Sequence, residues 1–130
     1  MKKDGKKWTA RRIKTLKRKA WEATSKFVRE RDKYKCVTCG RKGNHCGHYQ
    51  RNSERKADLG GNELWYDLRN LNCQCVVCNN YESGNLANYA LFLERKHGKG
   101  VLQELNKLYN KPKKWTPEEL EEIIKKLSTD

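Results

Sequence analysis

The sequence lacks any run of ~18 consecutive apolar residues, which excludes a membrane-spanning helix. Its basic N-terminus also lacks the apolar stretch of a secretory signal peptide. Core-forming residues are scarce, since hydrophobic residues make up 35% of the chain and charged residues another 35%. We therefore expect a cytoplasmic protein. Its hydrophobic core would be small and would need a cross-link to stabilise it.

Acidic residues are also few. The 130 residues include 30 lysines and arginines but only 16 acidic residues, giving a net charge of +14. Residues 1–35 alone hold 15 basic and 4 acidic residues. A charge of this size predicts a polyanionic partner, most simply nucleic acid.

The pattern predicts an α+β, mostly helical chain with a short disordered basic tail at residues 1–8. The remainder, 9–130, is predicted as one domain with three parts. These are a basic helix over 9–32, a core rich in cysteine and glycine over 33–85, and C-terminal helices over 86–127. Apolar residues at helical spacing favour the helices, and Thr116 followed by Pro117 and Glu119 is typical of a capped helix start.

One face of the first helix is strongly basic. Thr9 is its predicted N-cap, and the stripe from Ile13 to Phe27 is its predicted packed side. The opposite side is either a solvated face or a phosphate-binding surface, and the charge imbalance favours the second interpretation. Its DNA-binding candidates are Arg11, Arg12, Lys14, Lys17, Arg18 and Lys19.

Two C-x₂-C pairs, Cys36/Cys39 and Cys75/Cys78, are separated by 35 residues. Two such turns can complete a tetrahedral Cys₄ zinc site, and a chain without a secretion signal favours zinc over disulfides. Cys73 could compete as a ligand, but we expect both Cys46 and Cys73 to be small buried residues.

The residues between the two pairs add a second pattern. His48 follows the first pair, Asn70 precedes the second, and Asn79 follows it directly. This order resembles the HNH, or ββα-metal, nuclease motif in a zinc-stapled form. The resemblance implies that His48 is the general base, that Asn70 orients the loop between two strands, and that Asn79 opens a helix and binds a catalytic Mg²⁺ or Mn²⁺. A base and a hard cation are what phosphodiester hydrolysis requires.

A closer resemblance is to the NinG/Rap recombination nucleases of lambdoid phages. It is carried by Cys36-Val-Thr-Cys39, Cys46-Gly-His-Tyr49, Arg69-Asn70, Gln74-Cys-Val-Val-Cys-Asn79, Ser83-Gly84-Asn85-Leu86, Tyr89 and Lys114-Trp115-Thr116. It covers roughly residues 20–127. It implies structure-selective cleavage of branched DNA intermediates such as D-loops and Holliday junctions.

One position departs from the wider HNH pattern. Many HNH enzymes place Asp or His just before the base as a metal ligand, whereas this chain has Gly47. His48 could itself bind the metal instead of acting as base. Further ligands could come from water, substrate phosphate or a side chain, with His45, Asp58 and Glu82 as candidates.

The sequence thus predicts a metal-dependent DNA endonuclease. Arg51, Arg55 and Lys56, in the loop after His48, would border the scissile phosphate. The alternatives are a non-enzymatic zinc module that binds branched or duplex DNA, and a generic HNH endonuclease. Because resolving a four-way junction needs two cuts, a homodimer is an attractive assembly.

Overall fold

The computed structural model describes residues 8–51 and 61–128. The predicted tail therefore lies outside the described residues except for Trp8. The elements, in chain order, are α1 (Ala10–Arg31), β1 (His45–His48), β2 (Leu71–Gln74), a short π-helix (Val77–Tyr81), α2 (Leu86–His97), α3 (Val101–Tyr109) and α4 (Pro117–Leu127). A mostly helical chain with one small sheet is thereby confirmed.

Helix α1 begins where its sequence predicts. The side chain of Thr9 accepts a hydrogen bond from the backbone N–H of Arg12 at 3.2 Å, which satisfies one of the unpaired amides of the first turn. The fully buried residues of α1 are Ala20, Thr24 and Val28, whereas the ends of the predicted stripe are half-buried. This side of α1 packs along α4 and against both strands, so α1 lies against the sheet.

The two strands pair antiparallel, with Cys46 opposite Cys73 and His48 opposite Leu71. They are joined by residues 49–70 and not by a tight hairpin turn, so their register cannot be set by a turn. The end of α1 contributes to it, because the Arg31 guanidinium donates to the carbonyl of Leu71 at 2.8 Å. The Asp32 carboxylate accepts from the N–H of Cys73, also at 2.8 Å.

The C-terminal helices follow their predicted bounds. Gly98, at a φ of 89°, ends α2 in a backbone conformation that glycine adopts at little cost. Thr116 and Glu119 form the predicted capping box at the start of α4. The main core cluster is formed by five buried residues, Leu64, Tyr89, Leu93, Val101 and Leu105.

None of the helices in the described part of the chain is both long enough and apolar enough to cross a bilayer.

Candidate functional site

The two C-x₂-C pairs converge on one point. The Sγ atoms of Cys36, Cys39, Cys75 and Cys78 all lie within 4.8 Å of one another, and those of Cys39 and Cys75 are 3.6 Å apart. Four sulfurs at the zinc–thiolate bond length would stand ~3.8 Å apart in a tetrahedron. The predicted cluster is therefore formed and could hold a structural metal such as zinc.

Polar groups around the cluster are arranged to stabilise thiolates. The N–H of Cys78 donates to Cys75 Sγ at 3.5 Å, and the Asn85 amide donates to Cys78 Sγ at 3.4 Å. Burial raises the pKa of the Cys36 thiol, but hydrogen bonds from Thr38 and backbone N–H groups outweigh it and lower this pKa to about 6. Cys36 is thus prepared to ionise, as metal binding requires.

Asn85 lies at the start of α2 but does not cap it through its side chain. Asn85 does occupy the N-cap position of α2, but its backbone is left-handed and its side chain makes no capping hydrogen bond. The side-chain amide instead faces the cysteine cluster, where Cys78 Sγ accepts its N–H. This hydrogen bond therefore connects the second cysteine pair to the start of α2.

Cys46 and Cys73 stay outside this cluster. They face each other across the two strands, with Cys73 fully buried and Cys46 half-buried. Desolvation raises the pKa of Cys46 to about 12 and that of Cys73 to about 11. Their place outside the cluster agrees with the expectation that neither is a ligand. Cys73 is buried as expected, whereas Cys46 is only half-buried.

The predicted base, His48, lies in an aromatic cluster. Its ring stacks on that of Trp21 from α1, with centroids 5.1 Å apart and planes 9° apart. Trp65 contacts the same imidazole at a centroid distance of 5.2 Å. These rings hold the imidazole in one orientation, as a positioned catalytic group requires.

The chemistry of His48 follows from this setting. Its Nε2 atom is buried and has no hydrogen-bond partner within residues 8–51 and 61–128. Desolvation, assisted by the positive charge of Arg51, lowers its pKa to about 4. The imidazole is therefore neutral at pH 7, which leaves one ring nitrogen free to accept a proton or bind a metal.

Asn79 shares a cavity with His48. The cavity measures about 320 Å³, and Arg51, Trp21 and Trp65 also line it. Asn79 does not open an α-helix, as the HNH resemblance implied, but lies in the middle of the short π-helix. One turn of π-helix is a frequent feature of functional sites because it changes the direction of a side chain.

Two neighbours orient Asn79. Its Nδ2 atom lies 3.1 Å from Nδ1 of His45, the first residue of β1, and Arg51 donates to its backbone carbonyl at 2.7 Å. When His45 Nδ1 accepts, Oδ1 of Asn79 remains available for a cation. His45, a candidate ligand in the sequence, belongs to β1 and lies beside Asn79.

Asn70 is fully buried and ties the two strands together at one end. Its Oδ1 accepts from the N–H of Gln50 at 2.8 Å, and its Nδ2 donates to the carbonyl of Gln50 at 3.0 Å. These two hydrogen bonds fix the backbone segment that follows β1. Asn70 thus positions the backbone just after His48.

Gly47 stands at the position where the HNH pattern places a ligand, and the structure gives a steric reason for the glycine. A Cβ atom on Gly47 would overlap Oε1 of Gln74 and would lie 3.0 Å from Oδ1 of Asn79. The φ of Gly47 is not in the left-handed region. Space, and not backbone conformation, therefore requires glycine here.

Of the two remaining ligand candidates, the structure describes only Glu82. Glu82 is exposed at the end of the π-helix, and Asp58 lies outside the described residues. Within residues 8–51 and 61–128, the four cysteines are the only group of three or more His, Cys, Asp or Glu residues close enough to hold a metal.

All six predicted DNA-binding residues of α1 are exposed. Near the start of the helix, Trp8, Arg11, Arg12 and Lys19 border a shallow cleft of about 320 Å³. Arg51 lines the His48 cavity, while Arg55 and Lys56 lie outside the described residues. The basic face of α1 is thus open to a partner.

Sequence reasoning missed three residues that build the site: Trp21, Trp65 and Gln74. Trp21 could be seen only as a neighbour of the apolar stripe, although its ring is the platform for His48. Gln74 stands beside Cys75 in a quoted motif, but no spacing rule indicates that its side chain reaches Gly47.

Together, these features define a small, mostly helical protein in which four clustered cysteines could hold a zinc ion beside a two-stranded sheet. The model of the NinG family, described as "Bacteriophage Lambda NinG protein", matches residues 1–130. The chain belongs to the NinG family of bacteriophage proteins.

Individual relatives agree with this assignment. Protein ninG of Escherichia phage 933W is 34% identical over 110 residues, which are 82% of this chain and 51% of that protein. Protein ninG of Salmonella phage P22 gives the same identity and coverage. Protein ninG of Escherichia phage lambda is 33% identical, covering 82% of this chain and 50% of the relative. The chain spans about half the length of these relatives. No solved structure matches it.

Proposed function

We propose that this protein is a metal-dependent DNA endonuclease with His48 as general base. The observation that carries the proposal is that His48 and Asn79 line one cavity, while the buried Nε2 of His48 has no hydrogen-bond partner among the described residues. A binding module needs neither an unpaired imidazole nor an oriented amide. The unpaired imidazole costs stability, because buried polar groups are normally paired.

The chain's own residues supply the proton transfer. Nε2 of His48 takes a proton from water, the water oxygen bonds to phosphorus, and the P–O bond to one sugar breaks. The sugar oxygen leaves as a hydroxyl after taking a proton from solvent. A pKa of about 4 makes the imidazole a weak acceptor in the free protein. The negative phosphodiester would raise this pKa on binding, because a neighbouring anion favours the imidazolium.

The amide oxygen of Asn79 is a hard donor, as Mg²⁺ and Mn²⁺ prefer, so the site fits such an ion. When bound, the ion would supply a Lewis acid that neutralises charge growing on the phosphate. Arg51, which lines the same cavity, adds fixed positive charge. The four cysteines would hold Zn²⁺ as a structural ion just before Asn79 in the chain.

The substrate proposed is branched DNA, such as D-loops and Holliday junctions. The basic face of α1 supports a nucleic-acid partner, while the preference for branches rests on the family resemblance alone. The protein would act as a homodimer if it makes the two cuts that a four-way junction needs.

The test is incubation of the zinc-loaded protein with labelled four-way junction and a linear duplex of the same sequence, with and without Mg²⁺. We expect Mg²⁺-dependent cleavage, faster on the junction. His48→Phe, which keeps a ring against Trp21, should lower the rate by ~10²–10⁴-fold. His97→Ala, which removes an exposed histidine at the end of α2, is the matched control and should cleave normally.

A non-enzymatic zinc module that binds DNA is the second candidate, and the exposed basic face of α1 favours it. It predicts tight junction binding without cleavage under any divalent ion. Full cleavage by a folded His48→Phe protein would refute the assignment of the base. Cleavage that does not distinguish junction from duplex would instead favour a generic HNH endonuclease.

A further inference from the structure

Two side-chain atoms in the described residues are buried without a hydrogen-bond partner, Nε2 of His48 and Oε1 of Gln74. The proposed reaction uses Nε2 of His48 as the base, whereas Oε1 of Gln74 has no role in it. Gln74 is completely buried at the end of β2. An amide oxygen that is buried without a partner lowers the unfolding free energy, so its presence indicates a bound ligand or another function.

The orientation of the Gln74 amide is unambiguous. Its Nε2 atom lies 2.8 Å from the carbonyl oxygen of Gly84 and 3.2 Å from the hydroxyl of Thr38. A carbonyl can only accept, so the amide nitrogen must face Gly84. Oε1 is thereby held pointing the other way.

The oxygen points to the place left by Gly47. A Cβ atom on that glycine would overlap Gln74 Oε1, and Asn79 Oδ1 lies 3.0 Å from the same point. The oxygens of two amides, each with its nitrogen engaged elsewhere, therefore converge beside β1. Both oxygens lie within 3.0 Å of the same point, so one small cation placed between them could bind both, with bonds to oxygen of ~2.1 Å for Mg²⁺.

We propose that Gln74 Oε1 is a second ligand of the divalent ion that Asn79 binds, in place of a side chain at position 47. The inference rests on the proposed function, and it accounts for the missing ligand. Glycine at position 47 makes room for an oxygen that arrives from the neighbouring strand. Water and the phosphate of the substrate would complete the shell, as is usual for Mg²⁺.

A matched pair of variants isolates the oxygen. Gln74→Glu and Gln74→Met both remove the N–H groups that Thr38 and Gly84 accept, but only glutamate keeps an oxygen at the end of the side chain. Mn²⁺ binding to the zinc-loaded proteins is measured by the loss of the free Mn²⁺ signal in electron paramagnetic resonance. We expect Gln74→Met to bind at least ~10-fold more weakly, and Gln74→Glu to bind as tightly as the wild type or more tightly.

Zinc content and circular dichroism establish that each variant is folded. A measurement on the unmodified protein covers the case in which a variant does not fold. Titration with Mg²⁺, followed by NMR of the side-chain NH₂ groups, should shift the signals of Gln74 and Asn79 together. The exposed Gln103 serves as the reference. Unchanged Gln74 signals at saturating Mg²⁺ would overturn the proposal, as would Mn²⁺ binding by Gln74→Met that equals the wild type.

The outcomes separate this inference from the proposed function. If the wild type cleaves DNA with Mg²⁺ and Gln74→Met binds Mn²⁺ normally while Asn79→Ala does not, the nuclease stands and Gln74 is not a ligand. Equal losses in Gln74→Glu and Gln74→Met would assign the effect to the lost N–H donors and also overturn the inference. If Asn79→Ala leaves both Mn²⁺ binding and cleavage unchanged, both proposals fail.

Discussion

The buried imidazole of His48 makes the stability of the fold depend on pH. Desolvation and Arg51 lower its pKa from 6.5 to about 4 in the folded protein. Between these two values the unfolded chain binds the proton more readily than the folded one. The contribution of the neutral imidazole is therefore fully present above pH 6.5 and is lost progressively as the pH falls toward 4.

We expect His48→Phe to remove part of this pH dependence. Phenylalanine keeps the ring contact with Trp21 and Trp65 but does not titrate. Between pH 7.5 and pH 5 the wild type should lose ~2 kcal/mol more unfolding free energy than the variant, measured by urea denaturation. Because thiolate protonation affects both proteins alike, it cancels in the difference. Identical pH profiles would show that His48 titrates normally in the folded state.

At the scale of elements, the helix ends were predictable because their signals are local. The side chain of Thr9 caps α1, Thr116 and Glu119 form the capping box of α4, and Gly98 ends α2. The two C-x₂-C pairs were predictable for a similar reason, since each is a short turn with fixed spacing. Patterns among residues close in sequence therefore predicted these helix ends and the cysteine cluster correctly.

The sheet and the site around His48 depend on contacts that are distant in sequence. The Arg31 guanidinium reaches the carbonyl of Leu71, and the Trp21 ring reaches His48. No local pattern specifies either contact, because both arise only after α1 has packed on the strands. The π-helix around Asn79 is likewise invisible to a rule that expects 3.6 residues per turn.

Helix α1 contributes both packing and charge. A deletion of its first half would remove both contributions at once, so their separate effects could not be measured. Ala20 is fully buried, whereas Lys14, Lys17 and Lys19 are exposed. Changing these three lysines to glutamine should weaken DNA binding. Each lost phosphate contact lowers the slope of log K against log salt by ~0.9, so we expect a reduction of ~2–3 in fluorescence anisotropy titrations.

The matched control carries the same change of charge on another surface. Lys99, Lys107 and Lys111 are exposed in and around α3, and their change to glutamine should leave most of the salt slope intact. If both triple variants reduce the slope equally, net charge alone governs binding and the face of α1 has no special role.

At the scale of the whole molecule, the cysteine cluster joins the segment before β1 to the segment after β2. Cys36 and Cys39 lie between α1 and β1, while Cys75 and Cys78 lie between β2 and α2. The hydrophobic core next to them is small, with five fully buried members in its main cluster. A bound zinc ion would therefore act as a cross-link across the part of the chain that carries His48 and Asn79.

We expect the purified protein to contain about one Zn²⁺ per chain and to unfold when it is removed. Apparent zinc-binding free energies of ~10–16 kcal/mol in zinc-finger peptides match or exceed the ~5–15 kcal/mol stability of a typical domain. Cys78→Ser should therefore lose zinc and cooperative thermal unfolding, as measured by metal analysis and circular dichroism. Cys46→Ser, which changes a cysteine outside the cluster, should keep both. A folded, cooperative Cys78→Ser protein without zinc would mean that packing alone holds the two cysteine pairs together.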